Sequence, residues 1–421
     1  MKKYKTEVAA LVRTGFFHIF GSSVLNKVIT FLSSVVLVRV LTKSEYGIFT
    51  YSWNIYSILV LLNGMGIDSG MLQLASEHSG DNEYSKRLSN YCVRFGMAFD
   101  IALSLLILFI AFFAPLQIKG AREILAMLCF LPMVQILYQL DVSYLRAEKQ
   151  NKEFSSVSVI NTVMIFAFSV GAAFALREYG LVIGYYIAYL FSFFIARFIY
   201  KVKLFNKSNG IKLKTKITVL KISFISMLNS GLSQLMYLLD VFVLGLIDPQ
   251  ETILASFKVA TMIPSALTFI PISLITYIYP YFAEHRNDKV WCLKKYKRIL
   301  IIMGSFNAVV SIILFALAPM IIRLMFGDQY LDAVPVFRML SINYFFSGTF
   351  RILSGNLLVT QRKLKFNLLV ALISSLTNIV ADYFFIQWWG AIGAAAATML
   401  VVFVSSLLST SYLVYVFKRE R

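Results

Sequence analysis

Long apolar stretches dominate the pattern of hydrophobic and polar positions along the chain. About twelve of them are long enough to cross a bilayer as helices, and short polar turns separate most of them. They lie at roughly 16–40, 47–68, 95–114, 123–144, 156–176, 181–200, 217–246, 252–282, 299–322, 335–358, 366–388 and 391–416. The pattern therefore predicts an all-α polytopic membrane protein with about twelve transmembrane helices.

The composition agrees with a chain that lies mostly in lipid. Of the 421 residues, 59% are hydrophobic and only 14% are charged, and the mean hydropathy is +0.74. A soluble protein of this length would need far more polar surface to cover its core. A soluble fold is thereby excluded.

The net charge of +19 would suggest nucleic acid, but the positions of the charges favour a different explanation. If the odd-numbered connections face outside, the inside segments hold about 30 of the Lys and Arg residues. The densest of these segments, 197–221, holds eight. The asymmetry predicts that both termini are cytoplasmic and that nucleic acid is not a partner. It leaves open whether the 201–221 loop also binds anionic membrane lipids.

Few residues have the arrangement that catalysis or metal binding requires. The three cysteines and three histidines show no metal-ligand spacing. The connections predicted to face outside are short and hold no histidine for acyl transfer, and no D-x-D motif occurs for metal-assisted glycosyl transfer. The sequence predicts a transporter with no catalytic residue, no metal site and no cofactor.

A basic stretch near the middle of the chain suggests two halves. The linker KVKLFNKSNGIKLKTK, at 201–216, separates a six-helix bundle at 1–200 from a second at 217–421. Each half contains a basic turn, a helix with an Asn, an aromatic-Gly turn and a helix of small residues, which indicates a duplication. Six is an even number, so the halves should be related by an axis along the membrane normal.

Polar side chains form a stripe at helical spacing on the first span of each half. On the first span they are Ser22, Ser23, Asn26, Lys27, Thr30, Ser33 and Ser34. On the seventh they are Ser226, Asn229, Ser230, Ser233, Gln234, Tyr237 and Asp240. Such side chains could bond neighbouring helices, but a seven-residue stripe in both halves favours a hydrated cavity.

Ionisable residues also lie deep in predicted spans, where a charge is expensive and is functional by default. The cations are Lys27, Lys258 and Arg351, and the deepest acids are Asp240 and Asp382. This set suits an anionic ligand such as a phosphate better than an organic cation. Structural ion pairs are the alternative. Asp240 could pair with Lys258, carry a proton or bind Na⁺.

The candidate site residues form two sets. The acids Asp240 and Asp382 are the candidates for coupling to H⁺ or Na⁺. The candidates for substrate binding are Lys27, Arg351, Lys258, Asn26, Asn229, Gln234 and Tyr237.

Four stretches carry a resemblance to a known family. They are RVLTKSEYGIFTYSWNIYSILVLLNGMGIDSG (39–70), FGDQYLDAVPVFRMLS (326–341), RKLKFNLLVALISSLTNIV (362–380) and GAIGAAAAT (390–398). In this order and spacing they resemble the Wzx-type flippases. These are the polysaccharide-biosynthesis branch of the multidrug/oligosaccharidyl-lipid/polysaccharide exporter (MOP) superfamily. The resemblance covers nearly the whole chain.

The resemblance implies two six-helix bundles around a central cationic cavity that opens alternately to the two sides of a bacterial cytoplasmic membrane. The substrate would be an undecaprenyl-pyrophosphate-linked oligosaccharide repeat unit of O-antigen or capsule. Its movement to the outer leaflet would be coupled to an H⁺ or Na⁺ gradient. A polysaccharide polymerase and glycosyltransferases of the same pathway would be partners. The alternatives are a cation-coupled multidrug antiporter of the same superfamily and a polysaccharide polymerase or other membrane glycosyl-transfer enzyme.

Overall fold

The computed structural model of the chain describes residues 16–78, 80–200, 202 and 210–419. At 16, 17, 19, 232, 233, 236 and 237 it describes the backbone alone. Every regular element within the described ranges is a helix, which confirms the predicted all-α class.

The helices follow one another with short connections. The first eight are α1 Phe16–Val40, α2 Lys43–Val60, α3 Ile67–Glu77, α4 Asn82–Phe113, α5 Ala121–Met127, α6 Leu131–Ala147, α7 Asn151–Phe198 and α8 Leu213–Ile247. The others are α9 Glu251–Leu267, α10 Phe269–Glu284, α11 Lys289–Ala316, α12 Ala318–Phe326, α13 Val334–Phe346, α14 Ile352–Thr360 and α15 Leu364–Arg419. Short 3₁₀ turns occur at Asn63–Gly66 and Asp328–Ala333, and a π turn at Ser347–Arg351 joins α13 to α14.

The described residues contain seven helices long and apolar enough to cross a membrane, or eight if the bent pair α5–α6 forms one span. A multi-pass membrane protein is thus confirmed. The number of twelve spans and the cytoplasmic termini stay predictions. The difference in number arises partly because the two longest helices, α7 and α15, each contain two predicted spans.

Both of these long helices reverse direction at a single residue. Arg177 in α7 has φ 53° and ψ −134°, and Gly390 in α15 has φ 55° and ψ −131°. Glycines just after each reversal let the two arms touch: a Cβ on Gly180 would overlap the carbonyl of Ala172, and one on Gly393 would overlap that of Phe385. Each is therefore a helical hairpin whose arms approach too closely for any side chain at these positions.

The chain forms two compact units, Met1–Leu238 and Leu239–Arg421, with the boundary inside α8. In the first unit, α3, α4, α6 and α8 share one core, to which α8 contributes the buried Val219. In the second unit, Phe282, Tyr296 and Phe417 from α10, α11 and α15 lie in another core. The predicted bundles at 1–200 and 217–421 stay a prediction, because most of the linker 201–216 lies outside the described residues.

Two spans of the second unit are interrupted. The eighth predicted span is broken at Thr268, between Pro264 of α9 and Pro271 of α10. The Thr268 hydroxyl donates to the Ser265 carbonyl at 2.6 Å. In the tenth span the π turn Ser347–Arg351 widens the helix. Interrupted helices in a membrane are stable where the freed backbone groups find partners, and π turns are frequent at functional sites.

Candidate functional site

The polar stripe of α1 divides into two faces. Ser22 and Ser33 are buried, and the Asn26 amide donates to Ser158 Oγ of α7 at 2.7 Å. Lys27 and Ser23 are exposed on the adjacent face. Part of the stripe thus bonds a neighbouring helix, the alternative that the sequence left open. A substrate-binding role for Asn26 or Lys27 stays a prediction.

The stripe of α8 lies beside a cavity in the first unit. Ser226, Ser230 and Gln234 line it, whereas Asn229 is exposed and is not among its lining residues. The side chain of Tyr237, another predicted site residue, lies outside the described part of the structure. Three residues of this stripe thus line a cavity within one unit of the chain, and the hydration of that cavity stays a prediction.

This cavity has a volume of about 450 Å³, within the roughly 300–1,000 Å³ typical of small-molecule sites. It lies among α2, α3, α6, α8 and the turn Asn63–Gly66. Its lining residues are Trp53, Tyr56, Ser57, Val60, Leu61, Asn63, Gly66, Asp68, Ser69, Gln135, Gln139, Ser226, Met227, Ser230, Gly231, Gln234 and Leu238. Among these described residues there is one carboxylate and no Lys or Arg. This cavity therefore lacks the cationic lining that the resemblance implies.

A break in the helical backbone forms one side of the cavity. Three consecutive residues, Gly64, Met65 and Gly66, have φ of 51°, 54° and 68°. Such a left-handed run is unfavourable, especially at Met65. It is held by Asp100, whose Oδ1 accepts from the Gly64 backbone N–H at 2.7 Å. Broken helices at membrane depth are found where the backbone is buried in protein or lines a cavity.

Aromatic rings support another side of the cavity. The Trp53 ring stacks on Tyr185 of α7 at 4.4 Å between centroids and meets Tyr56 at 5.3 Å. The Tyr56 hydroxyl donates to Gln135 Oε1 at 2.8 Å. These contacts fix the orientation of the rings and of one amide before any ligand enters.

A second polar site lies in the second unit, around Asp240. The Asn378 amide donates to Asp240 Oδ1 at 3.1 Å, and the Thr398 hydroxyl donates to Oδ2 at 2.7 Å. Asp382 is one helical turn after Asn378 and lies within hydrogen-bonding reach of Asp240. The structure thus brings together the two acids that the sequence singled out. We call these four residues the carboxyl cluster.

Two residues of the carboxyl cluster are buried, Asp240 and Thr398 are half-buried, and several oxygen atoms accept no hydrogen bond from the described donors. Asp382 is 0% exposed and Asn378 is 3% exposed. Both carboxyl oxygens of Asp382 and the amide oxygen of Asn378 accept no hydrogen bond from the described N–H and O–H donors. Buried polar atoms are nearly always paired, so unpaired ones indicate an ion, a water or a proton that completes the site.

The predicted cations of the second unit lie in different surroundings. Arg351, the last residue of the π turn, is close enough to Asp240 for electrostatic attraction. Polar residues near it in sequence bond other helices: the Tyr344 hydroxyl donates to Asn307 Oδ1, and the Ser354 hydroxyl pairs with that of Tyr296. Lys258 on α9 is exposed. The substrate-binding roles of Arg351 and Lys258 stay predictions.

Sequence reasoning missed several residues of both sites. Asn63, Gln135 and Gln139 were not singled out, although the NGMG turn before Asp68 was a signal for a break in the helix. Asn378 was noticed only as part of a repeat, and Thr398 was taken as part of a small-residue helix. Both are distant from Asp240 in sequence, so no local pattern could connect them.

A family model described as "Polysaccharide biosynthesis protein" matches residues 36–335. No curated protein matches the chain.

Solved structures of similar fold cover nearly the whole chain. An inward-facing multidrug resistance MATE family transporter of the MOP superfamily aligns with a TM-score of 0.74 and 12% identity, over 93% of this chain and 95% of that one. The lipid II flippase MurJ, in an inward closed conformation, aligns with a TM-score of 0.72 and 17% identity, over 96% of this chain and 89% of that one. These likenesses confirm the polytopic all-α fold. With the family match over more than half of its length, the chain belongs to the polysaccharide biosynthesis protein family and has the fold of MOP-superfamily transporters.

Proposed function

We propose that the protein is a secondary transporter that flips undecaprenyl-pyrophosphate-linked oligosaccharide repeat units. It moves them by alternating access from the cytoplasmic to the outer leaflet of a bacterial cytoplasmic membrane. The observation that carries this proposal is the match to the polysaccharide biosynthesis family over residues 36–335. The glycosyltransferases that assemble the repeat unit and a polymerase that consumes it are the partners that such a reaction requires.

The carboxyl cluster supports coupling to a cation gradient. Within the described residues, Arg351 is the cation that acts on Asp240. One guanidinium against two carboxyl groups leaves one negative charge without an opposite charge when both acids are ionised. A single H⁺ or Na⁺ would neutralise it, and an uncompensated charge is expensive in a buried site.

The residues of the cluster fit such an ion. Carboxylate, amide and hydroxyl oxygens are the donors that hard cations take. Asp240, Asp382, Asn378 and Thr398 would hold a Na⁺, and a proton would lie between the two carboxyl groups. Entry of the ion would favour one conformation over the other only if that conformation binds it more tightly.

The deep cations would bind the pyrophosphate group of the substrate. A pyrophosphate carries negative charge that Lys27, Lys258 and Arg351 would attract, while the lipid tail stays in the bilayer. Arginine suits this role because its planar fork matches phosphate oxygens. No functional residue of the family has a strict motif, so this assignment rests on depth and charge.

The proposal is tested in a strain that lacks the gene. We expect the lipid-linked repeat unit to accumulate on the cytoplasmic leaflet and surface polysaccharide to disappear, with both reversed by the gene on a plasmid. Purified protein in proteoliposomes should then expose the same lipid to an externally added sugar-modifying enzyme. Normal polysaccharide and no accumulation of the lipid in the deletion strain would refute the proposal.

One observation favours a second candidate, a cation-coupled multidrug antiporter. The cavity of the first unit is lined by Asp68 and by no Lys or Arg among its described residues, which suits an organic cation. Under this alternative the deletion strain would become more susceptible to cationic drugs while its polysaccharide stayed normal. The two functions thus predict opposite phenotypes in one strain.

A further inference from the structure

We propose that the cavity of the first unit binds an uncharged sugar residue of the transported lipid, separately from its pyrophosphate. This inference rests on the flippase function proposed above and assigns one part of the substrate to one place in the chain. It is carried by the lining chemistry, by a buried amide that has no partner, and by the aromatic wall.

The lining combines the groups that recognise a polyol. Sugar hydroxyls both donate and accept hydrogen bonds, and amide side chains offer both functions at once. Four residues with amide side chains line this cavity: Asn63, Gln135, Gln139 and Gln234. Hydroxyl groups of Ser57, Ser69, Ser226 and Ser230 add further donors and acceptors.

Asn63 is the residue that points most directly to a ligand. It is 6% exposed and lines the cavity. Neither its amide nitrogen nor its amide oxygen has a hydrogen-bond partner among the described residues. Leaving a buried amide unpaired is unfavourable for folding, so its presence is explained if a ligand completes it.

The aromatic wall offers a flat surface to the same space. The Trp53 ring stacks on the Tyr185 ring, with 4.4 Å between their centroids, and contacts the tilted Tyr56 ring at 5.3 Å. The apolar face of a sugar ring packs on such a ring while its hydroxyls reach the amides. Because Trp53 is already fixed, little side-chain freedom is lost on binding.

The charge of the cavity argues against pyrophosphate at this position. The N-terminus of α3 would attract an anion, but Asp68 in its first turn already places a carboxylate there. With one carboxylate and no Lys or Arg in the described lining, a phosphate or an acidic sugar would be repelled. An uncharged sugar is the part of the substrate that fits.

The test compares two probes on the full-length protein in nanodiscs. One is the lipid-linked oligosaccharide extracted from the deletion strain, and the other is undecaprenyl pyrophosphate without sugar. We expect the wild type to bind the first more tightly. In Asn63→Ala, binding of the sugar-bearing lipid should fall about tenfold, the effect of losing two hydrogen bonds, with binding of the bare lipid unchanged.

Two further measurements separate sugar binding from a structural role. The melting temperature of Asn63→Ala should match that of the wild type or exceed it, since its amide stabilises nothing in the free protein. Gln139→Ala repeats the binding test from another helix if Asn63→Ala folds poorly. Asn356→Ala is the matched control, because this exposed amide on α14 bonds only its own helix, through the Ile352 carbonyl.

The outcomes are distinct. If the wild type prefers the sugar-bearing lipid and both cavity variants keep that preference, the sugar site is refuted and the flippase function stands. If the wild type binds neither lipid, the flippase function itself is refuted, and this inference with it. Loss of the preference in the cavity variants, with the control unaffected, supports the proposal.

Discussion

The hairpins α7 and α15 have the same backbone plan and different chemistry. Each follows a basic residue with a left-handed φ, 59° at Lys149 and 58° at Arg362. The interval from Lys149 to Arg177 equals that from Arg362 to Gly390. Gly180 and Gly393 follow these reversals at the same distance. These coincidences support the duplication that the sequence suggests.

Corresponding positions show how the two hairpins differ. At equal distances from the reversals at Arg177 and Gly390, Ser169 of α7 corresponds to Asp382 of α15, and Tyr185 corresponds to Thr398. The second hairpin supplies three of the four residues of the carboxyl cluster, whereas Tyr185 of the first supports Trp53 beside the cavity. One ancestral hairpin could therefore serve ion coupling in one half and sugar recognition in the other.

The largest effect is expected from Ser169→Asp. This change places a carboxyl group in the first hairpin at the position that corresponds to Asp382 in the second. Ser169 is fully buried, and a Cβ on Gly184 would overlap its backbone. A carboxylate there lacks the partners of Asp382, and an uncompensated buried charge costs about 3–5 kcal/mol. We expect little monodisperse protein in size-exclusion chromatography.

Ser169→Ala is the matched control, and it should accumulate like the wild type. A stable Ser169→Asp protein whose transport depends on a cation gradient in a new way would contradict the division of labour between the hairpins.

The next effect is expected from Asp240→Asn, which keeps the shape and removes the charge. Disturbing a cation site in this way typically costs 10–100-fold in affinity or activity, so we expect a loss of about this size in gradient-driven flipping. An amide at this position can neither bind a proton nor supply a carboxylate to Na⁺. Transport should therefore become insensitive to an imposed pH or Na⁺ gradient in proteoliposomes.

Asp328→Asn is the control for this variant, because Asp328 forms an exposed ion pair with Arg323 of a kind that contributes little. If Asp240→Asn keeps the gradient dependence of the wild type, Asp240 does not couple transport to the gradient.

Much of the fold was predictable because apolar length and charge asymmetry follow from the bilayer itself. The all-α class and the multi-pass topology rest on the cost of leaving backbone groups unpaired in lipid. The depth of Asp240 and Asp382 likewise indicated function, since a charge there is expensive. The structure then placed them in one cluster.

The rest depends on contacts between distant segments. Nothing near Asp240 in sequence indicates that Thr398 would bond it. Nor does the stripe on α1 reveal that Asn26 faces Ser158 rather than a cavity, because helical periodicity gives a face and not the neighbour of that face. Asn63 escaped notice because a single buried amide resembles any other until its lack of a partner is seen.

A smaller effect is expected from the glycines that let the hairpin arms touch. Adding a methyl group in Gly180→Ala or Gly393→Ala would push the arms apart, since the added Cβ meets a backbone carbonyl in both. Overpacking of this kind costs about 1–3 kcal/mol. Thermal unfolding in detergent should show both variants less stable than Gly171→Ala, whose added Cβ meets nothing within 4 Å. Equal stability of all three would show that the arms do not pack this closely.

The smallest effect is expected at Arg177 and Gly390, the residues at which the two hairpins reverse direction. Arg177 holds a conformation that normally needs glycine, and strain of this kind costs about 1–3 kcal/mol. It is compensated in part where the guanidinium donates to the Val40 carbonyl at 3.0 Å and lies 3.7 Å from Glu45. In Arg177→Gly the strain and these exposed contacts disappear together, so the melting temperature should change little. Gly390→Ala introduces the strain without the contacts and should lower it. If Arg177→Gly is the more destabilising of the two, the contacts of Arg177 rather than the freedom of glycine determine how this hairpin turns.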